Sequence, residues 1–150
     1  MNSSADPVLQ RVYDLVGAKS DAERRNAIGG LLELQDGVML VTLLSPVDRG
    51  DKSEIFFKGN WYTGEKAEQT IDLAVLLARC TLGTYCGPES TENLKICAER
   101  GWCGMNVAES IRQGIPSLGI DWAAAQDLAV QMVTALKQQD VSAFVAASDK

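Results

Sequence analysis

A chain of 150 residues, 46% apolar and 23% charged, has the size and make-up of one ordinary globular domain, which argues against wholesale disorder. Its net charge of −6, with the 14 Lys and Arg scattered, argues against the basic stripe that nucleic-acid binders use on phosphates. The complete absence of histidine removes Ser-His-Asp and Cys-His catalysis, imidazole acid–base work and every histidine-containing metal site.

Residues 1–5 precede any start signal and are expected to be flexible. Asp6 and Pro7 then read as the cap and first position of a helix reaching about Val16, with Gly17 beyond it. Ser20 and Glu23 form a capping box for a second helix, whose apolar positions Ala27, Ile28, Leu31, Leu32 and Leu34 lie on one side. Gly29-Gly30 sits inside that helical pattern with no Lys-Ser or Lys-Thr after it, so it is no phosphate cradle. Asp36-Gly37 marks a break.

Val38 to Leu44 is compatible with helix continuation or with a buried strand pairing with Ile55–Tyr62 across Pro46–Ser53. Helix continuation followed by an irregular loop is favoured; a small β-hairpin around residues 38–62 is the alternative. Within this stretch Asp48, Asp51, Ser53 and Glu54 offer oxygen ligands but lack the order of alternating ligands, central glycine and closing glutamate of a calcium loop, so a solvated loop is expected. Phe56, Phe57, Trp61 and Tyr62 place four of nine aromatics within seven residues. Trp61 and Tyr62, outside any clear helix, are the candidate binding residues; covering the end of a small core is the competing role.

A third helix over about Glu65–Leu82 carries only Asp72 and Arg79 as charges after Ile71, and should be central and buried. A fourth follows over Thr91–Arg100. Asn106 and Glu109 cap a fifth that ends at Gly114, with Pro116 beyond, and Asp121 caps a sixth with Trp122, Ala125, Ala129, Met132, Val133 and Leu136 at helical spacing. Asp140 opens a last turn or two holding Phe144. Six to seven helices with short loops predict an all-α compact bundle, one globular domain over residues 1–150.

Cys80, Cys86, Cys97 and Cys103 form two Cys-x5-Cys pairs with matched surroundings: an internal glycine, an aromatic before the second Cys and a glycine after it. A helix carrying the first Cys can end at Gly83 or Gly101, where a left-handed residue reverses the chain and returns the second Cys to disulfide distance. Local pairing, Cys80–Cys86 with Cys97–Cys103, is favoured over the nested Cys80–Cys103 with Cys86–Cys97, and each small loop contributes roughly 2 kcal/mol in the chain-entropy model. Four reduced, buried thiols are the alternative. The spacing does not match paired zinc knuckles, and no metal or cofactor is expected. Disulfides imply an oxidising compartment, periplasmic or extracellular. The polar start Met1-Asn2-Ser3-Ser4 reads as a mature exported chain with an added Met1.

Glu109-Ser110, just after a glycine-containing segment, resembles the Glu-Ser pair of lytic transglycosylases over those two residues. The resemblance implies a single catalytic glutamic acid, Glu109, in a helical domain. The residues as a whole favour an exported, disulfide-stapled helical binding protein whose partner is another protein, basic if the acidic charge is complementary to it. An immunity-type inhibitor of a toxin or hydrolase would have this form. The alternatives are a carboxylate-using cell-wall-active enzyme and a cytosolic thiol protein, the latter disfavoured by the lack of a Cys-x-x-Cys motif.

Overall fold

The structure, a computed structural model, describes residues 6–146; residues 1–5, whose flexibility the sequence suggests, and 147–150 lie outside the described residues. The described chain is mostly helical, with eight α-helices, one 3-10 turn and a small antiparallel sheet, so it is not purely all-α. It divides into two compact units, residues 6–62 with 134–146, and residues 63–133.

In the first unit, α1 (Pro7–Val16) starts where the Asp6 carboxylate accepts the Val8 N–H at 2.9 Å, and Pro7 fills a position whose N–H would have no helical partner. α2 (Asp21–Leu32) starts at Ser20, whose Oγ accepts the Glu23 N–H at 3.1 Å while Glu23 reaches back to the Lys19 N–H at 2.6 Å. Arg11 fastens the two helices, donating to the Gly30 carbonyl and to Glu33 at 3.1 Å. Gly29 and Gly30 lie inside α2, and a Cβ at either would make only ordinary van der Waals contact. Leu15, Ile28, Leu31 and Leu32 supply the buried side of this pair.

α2 ends at Leu32, and Gln35 just beyond it is held at φ +53° with its amide donating to the Leu136 carbonyl at 2.9 Å. Residues 38–44 are helical as expected, but as a separate short α3 (Met39–Leu43) that buries Met39, Leu40 and Leu43. The segment after it is no irregular loop. β1 (Val47–Arg49), β2 (Lys52–Phe57) and β3 (Asn60–Thr63) form a sheet in that order, with Val47 opposite Glu54 and Arg49 opposite Lys52 in antiparallel register. The turns explain it. Gly50 takes φ +75° in the first two-residue connection, and Lys58 and Gly59 take φ +48° and +84° in the second. Two successive positive φ values make a type I′ turn, whose twist matches that of the strands it joins. Ile55 and Phe57 point to the buried side, where Phe57 packs on Phe144 of α8 (Val141–Phe144) with ring centroids 5.5 Å apart.

In the second unit, α4 (Glu65–Thr81) buries Ile71, Leu73, Ala74, Val75, Leu77 and Ala78. It is central to this unit, though Asp72 is exposed and Leu76 only half-buried. Although the residue is exposed, its carboxyl loses part of its hydration to the groups around it, which raises it above its ordinary pKa; the Glu68 carboxylate one turn away adds to this, and the Arg100 guanidinium opposes it. A carboxyl with a raised folded pKa contributes stability only at low pH and loses it as pH rises through that pKa. Asp72→Asn should therefore melt at a higher temperature than the parent at pH 7, with the gap closing as pH falls below the carboxylate range. A gap independent of pH would show that Asp72 is electrostatically neutral to the fold.

α5 (Thr91–Arg100) and α6 (Val107–Gly114) follow, then the 3-10 turn Ile115–Leu118, ended by Gly119 at φ +68°. α7 (Trp122–Lys137) buries Ala125, Leu128, Ala129 and Met132 in this unit before continuing into the first.

Candidate interaction surface

Each cysteine pair is closed by the glycine that ends the helix before it. α4 runs out at Gly83, φ +111°, after which Cys86 returns to Cys80 with a Cα–Cα distance of 5.6 Å. α5 ends at Gly101 in the left-handed conformation, φ +75°, and Cys103 returns to Cys97 at 4.6 Å. The pairing is the local one, and the nested alternative is not adopted. No free cysteine is present among the described residues.

A buried polar network joins the two stapled loops. Asn93 on α5, 4% exposed, donates its amide to the carbonyls of Pro88 at 3.2 Å and Gly104 at 3.1 Å. Its Oδ1 accepts the Ser110 hydroxyl at 2.6 Å, and the same hydroxyl oxygen accepts the Gly104 N–H at 2.8 Å. The Cys86 carbonyl takes the Val107 N–H at 2.9 Å, so the first loop is also tied to the start of α6. Ser90 closes the set as the α5 cap, accepting the Asn93 N–H at 3.1 Å. Buried polar groups that are all paired fix a single arrangement, because every alternative leaves a donor or acceptor desolvated.

Two glycines make room for this arrangement. A Cβ on Gly104 would meet the Ser110 backbone N at 2.7 Å, and one on Gly114 would fall inside the Trp102 indole. Trp102 thus lies against the α6 backbone, with the Arg100 guanidinium 4.9 Å from the ring centroid.

The double staple presents apolar side chains to solvent. Tyr85, Leu94 and Met105 are 65%, 57% and 66% exposed. Each is the chain neighbour of a tied residue, Tyr85 of Cys86, Leu94 of Asn93 and Met105 of Gly104, one Cα step of about 3.8 Å away. Glu89, Glu99 and Glu109 are exposed in the same segment. Residues 63–133 carry nine Asp and Glu against five Lys and Arg, a larger acidic excess than the rest of the chain has.

Of the residues nominated from the sequence, the four cysteines form the two disulfides, and the others are placed in β3, at the start of α6 and in the β1–β2 segment. Trp61 and Tyr62 lie in β3; Trp61 is 37% exposed and meets Phe56 edge-on at 5.2 Å, and Tyr62 is half-buried. Part of the Trp61 ring is therefore committed to packing. Glu109 completes the α6 capping box: its carboxylate accepts the Met105 N–H at 3.0 Å while Asn106 accepts the Glu109 N–H at 2.8 Å. Ser110 belongs to the Asn93 network. Asp51 is in the β1–β2 turn, Ser53 and Glu54 are consecutive in β2 and so point to opposite faces, and the Asp48 side chain lies outside what is described. Among the described residues, no group of three or more Cys, Asp and Glu is placed to hold a metal ion.

Asn93 and Ser90 escape a sequence reading, although one signal exists. Ser90 stands at a capping position just before Thr91–Arg100, which is a local signal, whereas nothing local marks the partners of Asn93 at Pro88, Gly104 and Ser110.

Comparison with protein-family models, with curated proteins and with solved structures finds no match to this chain. The geometry alone defines its class, a mostly helical protein with two disulfide-stapled loops joined by buried hydrogen bonds. No helix of the described residues is long and apolar enough to cross a membrane.

Proposed function

We propose that this chain is a binding protein of an oxidising compartment, periplasmic or extracellular, which holds a basic protein partner against the double-stapled loops. An immunity-type inhibitor of a toxin or hydrolase is the form of binder that this size and charge suit. The observation that carries the reading is the exposure of Tyr85, Leu94 and Met105 beside residues fixed by disulfides and buried hydrogen bonds. Large apolar side chains left exposed are the kind of surface that interaction sites use, and segments positioned by a rigid scaffold are where such sites concentrate. Fixing the backbone that carries these side chains removes part of the entropy cost of association. The acidic excess of residues 63–133 would favour encounter with a basic partner.

The test begins with the oxidised protein as bait in an extract of its native compartment, and mass spectrometry of what it retains. The affinity of the purified partner is then measured for the parent, for Tyr85→Ser/Met105→Ser and for Trp61→Ala. The double variant should bind about 30-fold more weakly, the effect of losing one hot spot of about 2 kcal/mol, with an unchanged thermal midpoint. Trp61→Ala should lower the midpoint through its lost contact with Phe56 and leave affinity nearly intact. The reverse pattern would move the interface to β3 and to Trp61 and Tyr62.

A further inference from the structure

A second surface lies in the other compact unit and does not depend on the stapled loops. Leu9, Tyr13 and Val16 recur at i, i+4 and i+7 along α1, and all three are exposed, so one face of the helix offers apolar side chains to solvent. α1 meets α2 through its other side, where Leu15 is buried and Arg11 reaches Gly30 and Glu33.

Tyr13 also stands at the lip of a depression of about 440 Å³ between the end of α1 and the first turns of α2. Its apolar lining is Ala18 and Ala27, and its polar lining is Asp14, Glu23 and Asn26, with no Lys or Arg among the lining residues. Gln10 donates to Asp14 at 3.0 Å and the Lys19 N–H to Glu23 at 2.6 Å. Each bond occupies one of about four acceptor sites on a carboxylate. The C-terminal carbonyls of α1 add the negative end of the helix dipole, with no basic side chain in its last turn to offset them. Two carboxylates, an amide, an aromatic ring and a helix C-terminus around one depression all favour a cation.

We propose that this face of α1 and the adjoining depression form a docking site for a protein segment that inserts an arginine side chain. The guanidinium stacks on Tyr13 and donates to Asp14 and Glu23, while apolar neighbours in the segment rest on Leu9 and Val16. Charge complementarity selects a cationic occupant. The flat ring beside the carboxylates selects guanidinium over ammonium, because guanidinium both stacks and forks its donors.

The probe is acetyl-Leu-Arg-Leu-amide, titrated into the isotope-labelled full chain at low salt and followed by backbone amide shifts. The control is the same tripeptide with citrulline, which keeps the shape and removes the charge. The arginine peptide should saturate shifts at Tyr13, Asp14, Ala18 and Asn26 with a Kd on the order of 1 mM, and the citrulline peptide should bind at least about tenfold more weakly. Asp14→Asn and Glu23→Gln keep an acceptor oxygen for the existing bonds and should each weaken the arginine peptide about threefold. Equal binding of the two peptides, shifts centred outside this depression, or no saturable shift would each overturn the proposal. The peptide comparison uses the unmutated chain, so it stands whether or not the variants fold.

Discussion

Gly114→Ala should cost about 3 kcal/mol in denaturant unfolding, the upper part of the range for overpacking a rigid site. The added Cβ would fall within the Trp102 indole. Relief by moving α6 is resisted by its packing, since Ile111 within it and Ile115 just after it are fully buried. Relief by moving Trp102 is resisted by its chain neighbour Cys103, held by the staple to Cys97, and would break the ring's contact with Arg100. The matched experiment puts Trp102→Ala into the Gly114→Ala background. If the indole is the obstacle, the double variant should be more stable than the sum of the two losses implies, by about 1–3 kcal/mol of coupling. Additive losses would show that Gly114 is required for another reason, and a single-variant loss below about 1 kcal/mol would show that the indole moves aside freely.

Asn93→Ala should cost a similar amount, about 3 kcal/mol, by a different route. Removing the amide deletes little volume but takes the donor from the partly solvent-accessible Pro88 and Gly104 carbonyls and strands the Ser110 hydroxyl, which is fully buried. Each buried group left without a partner costs about 1–3 kcal/mol, partly recovered where water enters. Both disulfides remain in this variant, so the measurement separates the hydrogen-bonded link from the covalent one. Faster amide exchange confined to Gly104 and Val107 should accompany the loss, because those N–H groups belong to the loops that Asn93 ties down. A cost below about 1 kcal/mol with protection retained would mean that the staples alone position the loops.

What the sequence discloses and what it hides divide along the range of the interactions. Ser20, Asn106 and Gly101 act within four residues of themselves, so their caps are legible from local pattern, and so is the folding back of Cys86 and Cys103. The sheet is obscured because one hairpin turns on Lys58-Gly59 at positive φ, and lysine is not a residue that announces a type I′ turn. The Asn93 network joins positions 11 and 17 residues apart, and its register depends on how two loops meet, which no local pattern encodes. The same limit applies to the candidate surface. Trp61 and Tyr62 attract attention by composition, yet Trp61 packs against Phe56. Tyr85 and Met105 read as ordinary loop residues until the fold shows that they are exposed beside fixed points.

Thiol counting tests the central claim most directly, since the stapled platform and the oxidising compartment both depend on the state of four cysteines. Protein taken from its native compartment under an alkylating quench, then digested without reduction and mapped by mass, should show no alkylated cysteine. It should yield peptides linking Cys80 to Cys86 and Cys97 to Cys103. Four alkylated thiols in such material would contradict the account, removing the covalent support of the loops together with the reason to place the protein outside a reducing cytosol.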